Sequence, residues 1–171
     1  MVKAQLGLLL AALAAVGCRA EQLAPELAAA TPVFAAERFF TGKTRGEGSL
    51  KIMLRSAEPV RVEGNGWMEP DGALVLEQVV RRGTRAPEKR QWRFRPAGPG
   101  RYAGTLSDAA GPVQGQTRGN MLHLSYKMKD GAHAEQWIYL QPDGRTALNR
   151  MAIRKFGMVV ARLDETIRKA D

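Results

Sequence analysis

The chain has 171 residues, 26 basic and 17 acidic side chains, a formal charge of +9 and a single cysteine. One cysteine excludes an intrachain disulfide framework and a Cys-based zinc site, and the length suits one domain with a real core. The basic balance points first to nucleic acid, but Arg45, Arg55, Arg61, Arg81, Arg93, Arg95, Arg118 and Arg154 are scattered instead of packed in a block. That pattern reads as a solvated basic face, or one drawn to anionic lipid or lipopolysaccharide.

Met1-Val2-Lys3 is a short positive n-region, and Leu6 to Val16 is an uncharged h-region too short for a permanent membrane helix. Ala15-Val16-Gly17-Cys18 reads as a bacterial lipobox, in which Cys18 is lipidated and becomes the new N-terminus. The expectation is therefore a lipoprotein signal peptide over residues 1–17 and an exported chain tethered to a membrane in the bacterial cell envelope. Arg19, where an aspartate would retain the protein at the inner membrane, points to the periplasmic face of the outer membrane. Export argues against a nucleic-acid partner. With Cys18 committed to the anchor, the mature domain has no thiol nucleophile and is held by its core alone.

Residues 18–31 form an Ala/Pro-rich spacer, expected to reach tens of ångströms if extended. Thr31-Pro32 then resembles an N-cap followed by a first-turn proline, so a short helix is expected through Phe34 to Phe39. Its aromatic side chains would plug one end of whatever follows.

Residues 32–171 form the domain, and from Gly46 onward the texture is short alternating runs between turns. Turn chemistry recurs at Ser56–Pro59, Glu69–Gly72, Gly83–Pro87, Pro96–Gly100, Asp108–Pro112, Lys129–Gly131 and Pro142–Gly144. Asp-Gly occurs in three of these, which predicts type I′ hairpins. Between turns the period is two: Leu74 with Leu76, Trp92 with Phe94, and Leu122, Leu124, Tyr126 and Met128 each share a face. Val159, Ala161, Leu163 and Ile167 alternate with Arg162, Asp164 and Arg168, giving a strand through Leu163 and an open assignment beyond it.

About nine or ten such strands joined by short turns predict an all-β fold, a closed up-and-down antiparallel barrel of the lipocalin type. Closure removes the exposed edges that an open meander would leave. Glycines within or beside strands, such as Gly46, Gly64 and Gly115, allow the curvature. A β-sandwich is the alternative.

Several segments resemble a bacterial lipoprotein family catalogued as domain of unknown function 3833. They are Phe39-Phe40-Thr41-Gly42-Lys43-Thr44-Arg45-Gly46-Glu47-Gly48, Gln91-Trp92-Arg93, Gly100 to Asp108, Gly119-Asn120, Glu135 to Leu140, and Leu148-Asn149-Arg150 followed by Lys155-Phe156-Gly157. The resemblance spans roughly Pro32 to Arg168 and implies a lipocalin-like barrel on a lipid anchor. Company with fatty-acid-modifying enzymes is a pointer to lipid chemistry. It implies no activity, cofactor or catalytic residue.

Candidate ligand-lining residues are the aromatic set Trp67, Trp92, Tyr102, Tyr126, Trp137 and Tyr139, with Glu77 and Asp108 as the carboxylates worth watching. An aromatic-walled cavity with a few polar tips suits an amphipathic guest. Plain core packing and turn capping are the bland alternatives. Glu77, Gln78, Asp108, Asn120, Gln136 and Asn149 interrupt apolar strands or sit at their ends, and a carboxylate buried there needs partners or a shifted pKa. Which way the Trp137-Ile138-Tyr139-Leu140 run faces is undetermined, because it is apolar on both sides.

His123 and His133 are the only histidines; a turn at Asp130-Gly131 would set Met128 opposite His133 and leave His123 further along, so no metal is expected. No cofactor is expected either. Serine-nucleophile motifs are absent, and Gly42-Lys43-Thr44 fails as a phosphate loop because Glu37 stands where the motif needs glycine.

Three readings follow. The first is a binding module holding a fatty-acyl or similarly apolar molecule at the envelope. The second is a lipid isomerase or dehydratase working through a positioned carboxylate or tyrosine, with Glu77, Asp108 and Tyr102 as candidates. The third is a structural lipoprotein with a filled barrel. A titrating carboxylate facing a cavity would favour the second, and an apolar lumen the first.

Overall fold

The computed structural model describes residues 22–170, so the leader and Cys18 lie outside the described residues. A short helix, α1 (Ala36–Phe40), precedes β1 (Gly42–Ile52), β2 (Glu58–Met68), β3 (Leu74–Arg82), β4 (Glu88–Pro96) and β5 (Arg101–Leu106). Then come β6 (Val113–Arg118), β7 (Met121–Lys127), β8 (His133–Leu140), β9 (Thr146–Lys155) and β10 (Met158–Lys169). Every strand pairs antiparallel with its chain neighbours, and β1 pairs with β10 from Thr44↔Lys169 to Ile52↔Ala161. The meander closes into a ten-stranded barrel. The assignment left open beyond Leu163 resolves as strand to Lys169.

Period-two patterning sets the faces. β2 buries Val60, Val62, Gly64 and Gly66 while Arg61, Glu63, Asn65 and Trp67 point out. Opposite them in register, Leu76, Gln78 and Val80 of β3 also face the lumen. One alternation needs correction: a bulge between Val159 and Ala161 pairs Val159 with outward Arg154, so Val159 leaves the face shared by Ala161, Leu163 and Ile167.

The Asp-Gly corners also differ from the type I′ expectation. Only their glycines take positive φ, 78° at Gly72, 84° at Gly131 and 64° at Gly144. Each aspartate instead caps its own corner: Asp71 accepts from the Ala73 N–H at 3.0 Å, Asp130 from Ala132 at 3.0 Å and Asp143 from Arg145 at 2.9 Å. Carboxylate capping favours an ordinary turn followed by a left-handed glycine. Positive φ at both central residues occurs at Phe156-Gly157, 52° and 76°, between paired Lys155 and Met158.

α1 closes one end of the barrel, as its aromatics suggested. Phe34, Phe39 and Phe40 are buried with ring centroids 5.0–6.1 Å apart. Each contributes about 1.5–3 kcal/mol of apolar burial. Thr31-Pro32 does not cap it, however. The N-cap is Ala35, because the chain before it runs against the β6–β7 turn, where the Phe34 N–H donates to the Gly119 carbonyl at 2.8 Å. Lys169 at the end of β10 ties the plug down, its Nζ donating to the carbonyls of Arg38 (3.3 Å), Phe39 (3.0 Å) and Thr41 (2.7 Å).

The described part of the spacer is not a free tether. Residues 22–30, with a 3-10 turn at Pro25–Leu27, lie as a strap on the outer wall. Leu23, Ala24 and Leu27 pack over Trp137, Tyr139 and Ala152. Asn120 fastens the strap: its Oδ1 accepts from Ala29 N–H at 2.7 Å, and its Nδ2 donates to the carbonyls of Leu27 and Leu140 at 3.0 Å each. This accounts for the two-faced apolar run in β8. Ala134, Gln136, Ile138 and Leu140 face the lumen, while Trp137 and Tyr139 face the strap.

Candidate functional site: a polar layer in the lumen

Polar side chains gather within the lumen at the level of Gln78, Gln136 and Glu165. A cavity of about 30 Å³ lies there, lined by Gln78, Arg90, Gln136, Asn149 and Glu165 among Trp92, Phe94, Leu124 and Ile138, with Phe40 of the plug at one side. Its volume accommodates roughly two waters. Gln78 Oε1 accepts from Arg90 Nε at 3.0 Å and from the Trp92 indole N–H at 2.8 Å. Gln136 Nε2 donates to the Tyr126 hydroxyl at 2.8 Å. Asn149 Nδ2 donates to Glu165 Oε2 at 2.9 Å, while Asn149 Oδ1 is buried with no hydrogen-bond partner among the described residues.

Backbone chemistry makes room for this layer. A β-carbon at Gly46 would collide with the Glu165 carboxyl, and one at Gly64 with the Thr44 hydroxyl. Glycine on β1 thus leaves the space that the Glu165 head group fills. Burial pushes the Glu165 carboxyl above its ordinary range, opposed by the Asn149 hydrogen bond and the charge of Arg90. Tyr126 is pushed up by burial, with Arg90 and Gln136 acting against the shift. Arg90 is only half-buried. The β4–β5 ladder begins at Trp92↔Leu106, with Ser107 bonding Gln91 at 3.0 Å, so Glu88–Arg90 has no ladder on that side.

Of the residues singled out in sequence, Trp92 lines this cavity and Tyr126 faces the lumen beside it, edge-on to Trp92 at 5.5 Å. Tyr102 faces inward at the plug. Its hydroxyl accepts from the Ala36 N–H at 3.4 Å and donates to Glu37 Oε2 at 2.9 Å, and burial with that carboxylate pushes its pKa up to about 12. Trp67 and Glu77 point outward, Glu77 accepting from Gln91 Nε2 at 3.2 Å. Asp108 sits in the β5–β6 loop against the Ser107 hydroxyl at 3.1 Å. Trp137 and Tyr139 lie under the strap. The lumenal carboxyl is Glu165 and the lumenal cation Arg90, neither of which was singled out. Counting back by two from Trp92 reaches Arg90, a signal that its charged neighbours Glu88 and Lys89 hide.

A much larger concavity lies elsewhere. It is an open trough of about 890 Å³ on the outer face of β10 and β1–β4, between rows of outward side chains including Lys43, Arg45, Glu63, Glu77, Lys89 and Arg168. It is a charged, solvated face. The histidines do not converge. Lys127, not Met128, opposes His133, because the Met128 N–H closes the corner on Ala132. His133 Nε2 lies 3.1 Å from the Ser125 hydroxyl. His123 stacks on Trp137 at 5.0 Å, with Nε2 3.3 Å from buried Glu135. Burial lowers its pKa against that carboxylate's opposing pull. Among the described residues, no group of three or more His, Cys, Asp or Glu is placed to hold a metal ion.

A closed antiparallel meander plugged by an N-terminal helix, with polar groups gathered in the lumen, defines a lipocalin-like barrel. An S-type phycobiliprotein lyase, CPES from Guillardia theta, shares this fold: TM-score 0.64, 12% identity, 81% of this chain and 94% of that chain covered. The chain belongs to the protein family of unknown function DUF3833, whose model matches residues 12–169. No curated protein matches it.

Proposed function

We propose that this barrel binds a small amphipathic molecule, an acyl chain with a polar head, and that the polar layer of the lumen holds the head. One observation carries the reading. A purely structural barrel gains most from an apolar filling, yet this one buries Gln136, Asn149 and Glu165 and leaves Asn149 Oδ1 unpaired beside a cavity. Arg90 supplies a charged donor and the unpaired Asn149 Oδ1 an acceptor, a set matched to a head that both accepts and donates, such as a protonated carboxylic acid or a hydroxyl. The phycobiliprotein lyase lends support only through its shared fold. The present cavity is too small for a chain, so admission requires displacement of the aromatic plug, of which Phe40 already touches the cavity.

The setting belongs to the same proposal: Cys18 is lipidated, and the protein works at a membrane face of the bacterial envelope. Because the strap is docked from Gln22 onward, only four Cα-to-Cα steps separate it from Cys18. At about 3.3–3.6 Å per residue the barrel would be held within roughly 14 Å of its anchor. That replaces the long reach expected from a free spacer.

Organic extraction of the purified chain followed by lipid mass spectrometry tests the binding. A stoichiometric acyl species, lost in Arg90→Leu with Gln136→Leu, is expected; extracts matching a mock purification leave only a filled barrel. A second reading rests on Glu165, a titrating carboxyl facing the cavity with its pKa raised. Acid–base lipid chemistry would use it, and Glu165→Gln would then retain the guest but no longer convert it.

A further inference from the structure

The hairpins at the end of the barrel opposite α1 carry an apolar tip that no internal contact requires. Leu54 is 97% exposed, Phe156 89%, Met158 56% and Met53 48%. They form one patch, because β1 pairs with β10 and the Met53 N–H donates to the Val160 carbonyl at 2.9 Å. Leu54 and Phe156 both hold left-handed backbone, φ 63° and 52°, where glycine or asparagine is the ordinary choice. Large apolar side chains therefore stand at corners where both solvation and backbone preference argue against them.

Exposed Lys51, Arg55 and Arg162 surround the tip, with Lys155 and Arg154 below it. The acids facing it are engaged, Asp130 3.9 Å from Lys155, Glu135 3.9 Å from Arg154 and Glu58 4.0 Å from Arg85, so Lys51, Arg55 and Arg162 carry the attraction to lipid. We infer that the Met53–Leu54 and Phe156–Met158 tips insert into the interfacial zone of an anionic lipid leaflet, with the flanking bases on its head groups. Two hairpin corners make a convex wedge of four apolar side chains, not the broad complementary face of a stable protein interface. Apolar tips ringed by cations match a bilayer surface instead. The inference takes from the proposed function only that the barrel works beside a bilayer, and it needs no lumenal guest.

The test uses the full chain with Cys18→Ser and a nitroxide on Ser56→Cys, next to Leu54, reconstituted with phosphatidylglycerol or phosphatidylcholine vesicles. A matching label at Pro142→Cys reports the opposite end. Collision with oxygen against a water-soluble nickel chelate reads depth position by position, whatever holds the chain to the vesicle. The expected result is a shift of the Ser56 label to lipid-like accessibility on the anionic vesicles alone, reversed by about 1 M salt, with the Pro142 label aqueous throughout. Leu54→Gly with Phe156→Gly, which suits the left-handed corners and spares the fold, abolishes the shift, and Lys51→Glu with Arg55→Glu weakens it. A Ser56 label aqueous on anionic vesicles, or a shift that survives the glycine pair, overturns the inference. Failure here leaves the extraction experiment untouched, so the two proposals fail separately.

Discussion

Glu165 is the residue on which the chemistry of the lumen turns. Its carboxyl is buried, answered by the side-chain amide of Asn149, and seated over a glycine. Because its folded pKa lies above the ordinary 4.5, the folded protein binds the proton more tightly than the unfolded chain does. The stability Glu165 contributes is therefore fully present below 4.5 and is lost as pH rises from there through the raised value. Glu165→Gln should flatten that slope and raise the melting temperature at neutral pH; thermal melts across pH 4–8 check it, and an unchanged slope would place the proton elsewhere. Gly46→Ala should cost about 1–3 kcal/mol by overpacking, and a Glu165→Ala background should recover most of it. Chemical denaturation of the four variants measures the coupling. Neither residue announces itself in the sequence: Glu165 lies where the β10 run could pass for a helix, and Gly46 reads as one curvature glycine among several.

Two elements hold the barrel in a defined state, the plug and the strap. Phe39→Ala should cost about 3–5 kcal/mol and loosen α1 first, because the plug is five residues long and held by its rings and Lys169. Asn120→Ala removes hydrogen bonds to Ala29, Leu27 and Leu140 together, and should cost about 1–3 kcal/mol. Hydrogen exchange separates the two: Asn120→Ala should expose amides across residues 22–30 and spare β1–β5. Strand positions were legible because alternation is local, and the plug because three phenylalanines gather before the first strand. The turn type was not, because an Asp-Gly pair fits either corner and the aspartate's hydrogen bond decides. The strap was invisible, since nothing in an Ala/Pro-rich segment names the wall it covers; the two-faced run in β8 was its one trace.

At the scale of the molecule, closure of β1 on β10 converts a meander into a vessel, and that much follows from regular strand spacing and the need to remove edges. What the vessel holds depends on which side chains meet across its interior. Partners such as Asn149 and Glu165, or Tyr126 and Gln136, sit on different strands and come together only once the barrel has shut. The most direct measurement is a nitrogen-15 NMR titration with a long-chain fatty acid, following the Trp92 indole and the side-chain amides of Gln78, Gln136 and Asn149, with the outward Trp67 indole as reference. The lumenal signals should move to a new bound set at one equivalent while Trp67 stays in place. Lumenal signals that never move, or changes confined to the outer wall, would contradict a ligand site inside the barrel.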